Sequence, residues 1–464
     1  MLMRQNLGRP HVICYAVTYS ISTLPAREFL EERIIELQTK LPTLYAGVAN
    51  QYTTKPCFVP GQVPWDPEDI IVESSYVPLR SAANEAALVI KREMERFERY
   101  RFNRGDPMWT VALVYGPPDA ERAYLVVQVN HILMDGRGLL AFLHALTAGS
   151  IDMLPHEPFH KIKRFDDTVN IKPSARFLAP IFWREIIMPR LPRALQQKFA
   201  KEDCWPGLQV QRSPLVCGWS LSHISVPAGT VTLLKEKAKL KGVRTLHPIL
   251  KITYLAALWR TYGQNSYKPM YLVAATSRSE RRLSLGHSAI TGTYISSQEY
   301  HIRFSGSESF WGTCQHFAKW FRSSRAIAEG RYVPGLLSHI DDPDVDLDSP
   351  DFDPSAPTAW EKLFLARASS DTPFRDSMYF HNLGPTKLPP GATDLMWMQT
   401  ASPFGPVFQS NLIGHEGGLR LTAAHAEGAA ATKVRTDAMH QAWLRALDRI
   451  ALSDEDMTIS ELTA

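Results

Sequence analysis

The chain has 464 residues, of which 45% are hydrophobic and 21% are charged, and these proportions are typical of globular rather than disordered proteins. It contains no run of about 18 apolar residues, which argues against a membrane-spanning helix. The formal net charge of +4 is too small to indicate nucleic-acid binding, although it would help to attract an anionic substrate.

The first half of the chain alternates strand and helix patterns. Apolar, β-branched runs predict strands over residues 11–20, 108–115 and 123–129. The last two flank a Gly-Pro-Pro-Asp turn at 116–119 and therefore predict an antiparallel pair. Helical spacing of apolar residues predicts helices over 27–40 and 83–100, and a third that begins at 139.

The second half repeats this order of elements. Strands are predicted over residues 219–226, 270–276 and 377–380, and over two runs between 407 and 424 that are joined at 414–418. Helices are predicted over residues 231–241, 247–262, 310–328 and 433–450.

Strands that pair as hairpins with helices between them predict an α+β architecture. The two halves are similar in size and order, which indicates a duplicated fold. We place one subdomain at residues 1–172, a crossover linker at 173–216 and a second subdomain at 217–464.

The five cysteines are scattered, and no C-x-x-C pair is present. A disulfide framework or a structural zinc site is therefore not expected, and a reducing compartment is the simplest interpretation. The N-terminal residues lack the apolar core of a signal peptide, so a cytoplasmic location is predicted.

Two stretches between the predicted elements have unusual compositions. Residues 173–200 are apolar and basic, which suits either a helix that binds weakly to a membrane surface or a crossover segment packed on the body. The second interpretation is favoured by three prolines that interrupt a long helix, Pro180, Pro189 and Pro192. Residues 341–353 hold seven aspartates, but the spacing of a calcium loop is absent, which favours a solvated acidic loop.

The strongest candidate for chemistry is a strand–turn–helix junction. Here His131 follows a buried strand, and Asp135 and Gly136 precede an apolar helix. A histidine held at the end of a rigid strand can act as a general base near neutral pH. Asp135 could hold the loop through an ion pair with an arginine, without touching the imidazole. The glycines at 136 and 138 allow a close approach of the chain, and they favour this interpretation over a purely structural histidine.

Other motifs receive less support. Residues 156–160 fit H-E-x-x-H, but Pro155 and Pro158 prevent the continuous helix that a zinc protease requires. His131 and Asp135 have no third ligand nearby, so no metal is expected. The chain lacks G-x-S-x-G, Walker A and G-x-G-x-x-G patterns, which removes the main support for a serine hydrolase, a P-loop NTPase or a dinucleotide-binding fold.

The N-H-x3-D-G segment resembles the H-H-x3-D-G active-site motif of the coenzyme A-dependent acyltransferase superfamily. This superfamily includes chloramphenicol acetyltransferase, plant BAHD acyltransferases, peptide-synthetase condensation domains and fungal alcohol acetyltransferases. Asn130 stands in place of the first histidine. Because the second histidine does the chemistry in the family, Asn130 is expected to alter packing or donate a hydrogen bond instead.

Three later segments are also similar to the family. Residues 270–278 resemble the strand whose final arginine pairs with the motif aspartate, and residues 285–294 resemble its "L-G-N…G-N" stretch. Residues 380–385 resemble the late "S-N-L-G" strand, with His381 in place of serine. The plant D-F-G-W-G motif is absent, so the fungal alcohol acetyltransferase branch is the most similar one.

The resemblance implies two chloramphenicol-acetyltransferase-like subdomains that pack as a pseudo-dimer around a tunnel, within a monomer. His131 would take the proton of an acceptor hydroxyl, and the acyl group would pass directly from acetyl-CoA or another acyl-CoA, with no acyl-enzyme. The acceptor would be a small hydrophobic alcohol or a terpenoid-type product.

The resemblance also implies roles for further residues. Asp135 and Arg278 would form a structural ion pair that orients the loop, so that Asp135→Asn would misplace His131. The candidates for binding the oxyanion or the substrate are Thr293, Tyr294, Asn382 and Ser410. The candidates for binding the phosphates of coenzyme A are Lys241, Arg244, Arg281 and Arg282.

Two other functions remain open. A condensation-type enzyme would take its acyl group from a carrier protein and form an ester or an amide. A non-catalytic descendant of the fold would only bind, but the intact His131, Asp135 and Gly136 argue against it.

Overall fold

The computed structural model describes residues 2–53, 56–79, 82–99, 105–199, 210–263, 269–281, 289–339, 353 and 356–464. Most of the segment 341–353 therefore lies outside the described residues, and its interpretation as an acidic loop stays a prediction.

A five-stranded sheet, of order β11-β1-β6-β5-β4, forms the centre of the first half. Its strands are β1 (Val12–Ser20), β4 (Ile71–Ser75), β5 (Trp109–Tyr115), β6 (Arg122–Asn130) and β11 (Ala392–Gln399). β5 and β6 are antiparallel, as the turn between them predicts. Two short strands, β2 (Gly47–Ala49) and β3 (Cys57–Val59), form a separate ribbon.

Helices cover both faces of this sheet. The helices of this half are α1 (Leu2–Asn6), α2 (Arg27–Lys40), α3 (Pro67–Ile70), α4 (Ala82–Phe97) and α5 (Gly136–Thr147). Alternate residues of β1 enter two different cores: Ile13 and Tyr15 pack with α2 and α5, whereas Val12 and Cys14 pack with α4. A strand covered on both faces needs an almost continuous apolar sequence, which is what β1 and β6 have.

A six-stranded sheet, of order β7-β13-β12-β10-β8-β9, forms the centre of the second half. Its strands are β7 (Trp219–Pro227), β8 (Met270–Ser279), β9 (Ile295–Phe304), β10 (Asp376–Pro385), β12 (Pro406–His415) and β13 (Gly418–Ala426). β10 runs parallel to both of its neighbours, β8 and β12, and the other pairs are antiparallel.

The remaining helices lie in the linker and the second half. They are α6 (Phe165–Thr168), α7 (Ala175–Phe182), α8 (Arg193–Phe199), α9 (Ala228–Leu240), α10 (Leu246–Tyr262), α11 (Phe310–Phe321), α12 (Ser324–Gly335), α13 (Ala359–Ala368), α14 (Lys433–Leu452) and α15 (Ile459–Thr463). The helix predicted over 310–328 is in fact two helices, because Ser323 caps a new N-terminus by accepting from the main-chain N–H of Ala326.

One strand of the second half belongs to the first sheet. β11 pairs antiparallel with β1, with Tyr15 opposite Trp397 in the register. The predicted subdomain at 217–464 therefore contributes an edge strand to the subdomain at 1–172. On the other face, Leu221 and Ala424 of the second half join the core beneath α4. The two halves thus share both a sheet and a core.

The linker segment is helical but interrupted. α7 is followed by a π-helical turn (Trp183–Ile187), a 3-10 turn (Met188–Arg190) and α8, so no single long helix forms. Phe182 and Trp183 are 52% and 46% exposed. Contact of residues 173–200 with a membrane surface stays a prediction. Within the described ranges, no helix is both long enough and apolar enough to cross a bilayer.

The second core encloses neutral histidines. Burial lowers the pKa of His247 to about 3 and that of His440 to about 3. The His440 Nε2 atom lies 2.8 Å from the hydroxyl of Tyr254. In the folded protein these imidazoles are therefore neutral. In the unfolded chain they would bind a proton with the ordinary pKa of about 6.5.

We predict that the free energy of unfolding falls as the pH is lowered from 7.5 to 5.5. The unfolded state gains protons that the folded histidines do not bind, which costs about 1.4 kcal/mol for each such histidine. Urea unfolding at both pH values measures the loss. His440→Gln should reduce this loss of unfolding free energy by the contribution of one histidine. Substitution of the exposed His339 should leave the loss unchanged. Equal stability at both pH values would contradict the prediction.

Candidate active site

His131 lies directly after β6, where both halves of the chain fix its main chain. Its N–H donates to the carbonyl of His11 at 2.7 Å, in the first half. Its own carbonyl accepts a hydrogen bond from Thr293 Oγ1 at 3.1 Å, in the second half. The side chain is 2% exposed and packs edge-on against the ring of His11, with centroids 4.6 Å apart. The imidazole thus lies at the boundary between the two halves.

The environment keeps this imidazole neutral. Burial lowers the pKa of His131 to about 4, and the nearby Asp135 carboxylate only partly opposes that effect. Its own main chain also partly opposes the lowering of the pKa. A neutral imidazole keeps one nitrogen lone pair, which is the form that a general base requires at pH 7.

Asp135 uses both carboxylate oxygens to hold the loop. Oδ1 caps α5 by accepting from the N–H groups of Arg137 and Gly138, each at 2.9 Å. Oδ2 accepts from Arg281 Nη1 at 2.7 Å and from the N–H of Tyr294 at 2.9 Å. The carboxylate therefore orients the loop and the helix after His131, as the sequence predicts for this residue.

The prediction that Arg278 pairs with Asp135 is wrong. Arg281 forms the ion pair, and the two side chains are 5% and 1% exposed. β8 continues past Arg278 to Ser279, which places Arg278 and Glu280 on one face of the sheet, with Arg278 Nε 3.4 Å from Glu280 Oε1. Arg281 is the residue that points back to the first half once the strand has ended.

Arg281 is also wrong as a candidate for binding coenzyme A, because its guanidinium is buried and fully engaged. Besides Asp135 it donates to the carbonyls of Ile290, at 2.8 Å, and Gly292, at 2.9 Å. A Cβ at Gly138 would lie 3.0 Å from Arg281 Nη2, so glycine at 138 permits this close approach. The second glycine of the motif therefore makes room for the ion pair.

The loop 289–294 is fastened to the first half at a second place. Glu157, within the H-E-x-x-H sequence, accepts from the N–H of Thr291 at 2.9 Å and from its hydroxyl at 3.1 Å. Tyr294 donates from its hydroxyl to the carbonyl of Lys163 at 2.6 Å. Residues 156–158 are not helical. Among the described residues, no group of three or more His, Cys, Asp or Glu side chains is arranged to hold a metal ion.

The four oxyanion candidates separate into two pairs. Thr293 and Tyr294 lie at the motif through the hydrogen bonds given above. Ser410 lies in the second core, where its hydroxyl donates to the hydroxyl of Tyr254 at 3.2 Å. Asn382 closes a local turn by accepting from the N–H of Gly384 at 2.8 Å. The Ser410 hydroxyl is thus engaged within the second core, whereas Asn382 adjoins Leu383, whose carbonyl accepts from Arg137 Nη2 of the motif loop at 2.9 Å.

The cations proposed to bind coenzyme A are also dispersed. Lys241 donates to the carbonyl of Asp454 at 2.7 Å. Arg244 is exposed and lines a cavity of about 530 Å³ together with Lys235 and Lys239. Arg282 lies outside the described residues, as does the part of the predicted "L-G-N" stretch before residue 289.

Asn130 donates from its side chain to Gln5 Oε1 at 2.8 Å, which confirms the expectation that it supplies a hydrogen bond.

His381 is a site residue that the sequence reasoning missed. It is 6% exposed, and its ring lies 6.4 Å from that of Trp397. Trp397 in turn lies against Gly136, where an added Cβ would be 3.0 Å from the indole. Burial lowers the pKa of His381 to about 3, and the neighbouring His131 lowers it further. The available signal was the histidine in place of serine in the "S-N-L-G" segment.

We predict that Arg281→Gln destabilises the protein by about 3–5 kcal/mol, because it leaves the Asp135 charge buried without a cation. Arg278→Gln serves as the matched control. Its side chain is 35% exposed, so its loss should cost no more than about 1 kcal/mol. Urea unfolding of both variants at pH 7.5 measures the difference, and the reverse order would show that Arg278 holds the loop.

Comparisons with known proteins bear on the fold. No family model matches the chain, and no curated protein matches it either. The condensation domain of the monacolin K polyketide synthase MokA is similar, with a TM-score of 0.62 at 11% identity, over 97% of this chain and 93% of that one. The first condensation domain of the calcium-dependent antibiotic synthetase, solved with a substrate analogue, has a TM-score of 0.60 at 14% identity, over 99% and 96%.

The cyclization-docking bidomain of EpoB from Sorangium cellulosum is similar too, with a TM-score of 0.59 at 16% identity, over 96% of this chain and 81% of that one. Identities this low establish the fold alone. The two sheets, the shared strand and the position of the H-x3-D-G loop between the halves agree with it: the chain has the two-subdomain, chloramphenicol-acetyltransferase-like fold of condensation domains.

Proposed function

We propose that this chain transfers an acyl group from a phosphopantetheine thioester to a hydroxyl or amino group, with His131 as the general base. One observation carries the proposal: a buried, neutral imidazole is fixed between two chloramphenicol-acetyltransferase-like halves by the Asp135–Arg281 pair. This arrangement provides a base whose position does not depend on substrate.

In the proposed reaction, the acceptor O–H or N–H gives its proton to His131 as its heteroatom attacks the thioester carbon. The tetrahedral intermediate then collapses, the carbon–sulfur bond breaks, and the thiolate takes the proton from His131. The imidazole ends as it began, and no acyl-enzyme forms. General-base action contributes roughly 10²–10⁴-fold. The alignment of two substrates between rigid halves can contribute a further 7–11 kcal/mol or so.

A carrier protein is the donor that we favour. The similar structures are condensation domains, and the condensation-type enzyme that the sequence leaves open would take its acyl group from a carrier protein. The product would then be an ester or an amide. This donor replaces acyl-CoA as the leading candidate.

A soluble acyl-CoA, with acetyl-CoA first and a small hydrophobic alcohol as acceptor, is the second candidate. The cavity formed by Lys235, Lys239 and Arg244 favours it, because three cations around about 530 Å³ suit the phosphates of a nucleotide. The phosphate of a phosphopantetheine on a carrier protein would pair with fewer of these three cations. On this candidate, the chain would act as an alcohol acetyltransferase.

We predict acyl transfer that depends on His131 and distinguishes the two donors. The protein is incubated with acetyl-CoA, or with an acetylated carrier protein, and with a panel of alcohols and amines. Thiol release and mass spectrometry detect the product. His131→Ala should lower the rate by roughly 10²–10⁴-fold, and His339→Ala, a change at an exposed histidine, should not. Transfer at an unchanged rate in the His131 variant would refute the proposed base.

We predict that kcat/KM for an alcohol acceptor stays level between pH 8 and pH 5.5. Because burial lowers the pKa of His131 to about 4, the base remains unprotonated throughout that range. An imidazole with an ordinary pKa near 6.5 would instead lose about tenfold by pH 5.5. Circular dichroism at each pH checks that the fold persists. A tenfold loss in folded protein would contradict the neutral, buried base.

A further inference from the structure

His381 projects into the boundary between the two halves. On β10, Phe380 faces the helices of the second core, where its ring lies 5.4 Å from that of Tyr254. Side chains alternate along a strand, so His381 faces the opposite way, towards Trp397 of the shared strand β11. Because Trp397 also contacts Gly136, His381 and the H-x3-D-G loop approach the same tryptophan from different sheets.

The hydrogen bonds of His381 define which nitrogen carries the proton. Gln409, on the neighbouring strand β12, directs its side-chain Nε2 at His381 Nε2 over 3.1 Å. In this orientation of the amide, its nitrogen donates and His381 Nε2 accepts. A neutral imidazole that accepts at Nε2 carries its hydrogen on Nδ1. His381 Nδ1 is buried, and it has no hydrogen-bond partner among the described residues.

The main chain of Gln409 is linked to the shared strand. Asn411, two residues later on β12, directs its side-chain nitrogen at the main-chain carbonyl of Gln409 over 3.5 Å. Its Oδ1 accepts from Gln399 Nε2 at 3.1 Å, at the end of β11. These amides connect β11 to β12 beside Gln409.

A buried donor without a partner is rare in proteins, because it loses its hydrogen bond to water and gains none in exchange. Such a donor at a reaction site is well suited to an oxygen that becomes negative during the reaction. The hydroxyls of three sequence candidates, Thr293, Tyr294 and Ser410, are engaged with protein atoms.

We infer that His381 is the oxyanion donor of this site, through its Nδ1–H. This inference rests on the proposed function. As the acceptor attacks, the new bond forms at the carbonyl carbon, and the π electrons of the C=O bond move to oxygen. His131 holds the acceptor's proton, and His381 Nδ1–H donates to the oxygen. When the carbon–sulfur bond breaks, the C=O bond re-forms, and the hydrogen stays on His381 throughout.

The first test compares two substitutions at one position. His381→Leu removes the donor, whereas His381→Asn keeps an N–H near the position of Nδ1. With the donor and acceptor on which the wild-type protein is active, His381→Leu should lower kcat by about 10²–10³-fold with little change in KM. His381→Asn should remain within about tenfold of the wild type. His440→Leu, which removes a buried imidazole packed on Tyr254 in the second core, controls for packing.

Equal rates for the Leu variant and the wild type would overturn the inference, as would equal losses of kcat in the Leu and Asn variants. Thermal unfolding of all three variants shows whether each is folded. If the wild type itself transfers no acyl group from any donor, the proposed function fails. The second test, which needs no substrate, then decides the tautomer of His381 by itself.

The second test needs no substrate. Long-range ¹H–¹⁵N spectra of protein labelled with ¹⁵N-histidine distinguish the Nδ1–H from the Nε2–H tautomer, and the signal that is lost in His381→Asn identifies the residue. We expect the Nδ1–H form at pH 7.5. The Nε2–H form would mean that Gln409 presents its oxygen and that Nδ1 has no hydrogen to donate, which would overturn the inference.

Discussion

The Asp135 carboxylate is the interaction on which the site depends. Four donors satisfy its two oxygens, two from the start of α5 and two from the second half. One buried group therefore caps a helix, closes a loop and joins the halves. Loss of its cation would cost about 3–5 kcal/mol, a large part of the 5–15 kcal/mol that usually stabilises a folded domain.

Burial gives the site its chemical character. His11 precedes β1, His131 follows β6, and His381 lies on β10 of the second sheet. Burial lowers the pKa of each of the three. A charge on His131 would disfavour one on His11 and one on His381, so the group stays neutral. The group can take up one proton from an acceptor during the reaction and is neutral again once that proton has left. The desolvation that makes the fold sensitive to acid is thus the same effect that prepares the base.

Local patterns in the sequence predicted much of the fold. The periodicity of α2 and the hairpin of β5 and β6 are confirmed, because both depend on contacts close in the chain. β11 was missed, since its partner strand is over 370 residues away in sequence, as the pairing of Ile13 with Gln399 shows. The choice of Arg278 over Arg281 failed for a related reason. The position at which a strand ends is set by its neighbour β9 and not by its own residues.

Because β11 comes from the second half, the first sheet is completed late in synthesis. β1 is made more than 370 residues before its partner β11, and one of its two edges stays open until residues 392–399 have been made. An open, apolar edge strand is a template for pairing with other chains. During this interval the edge is unprotected, and a fragment that stops before β11 lacks the strand that closes it.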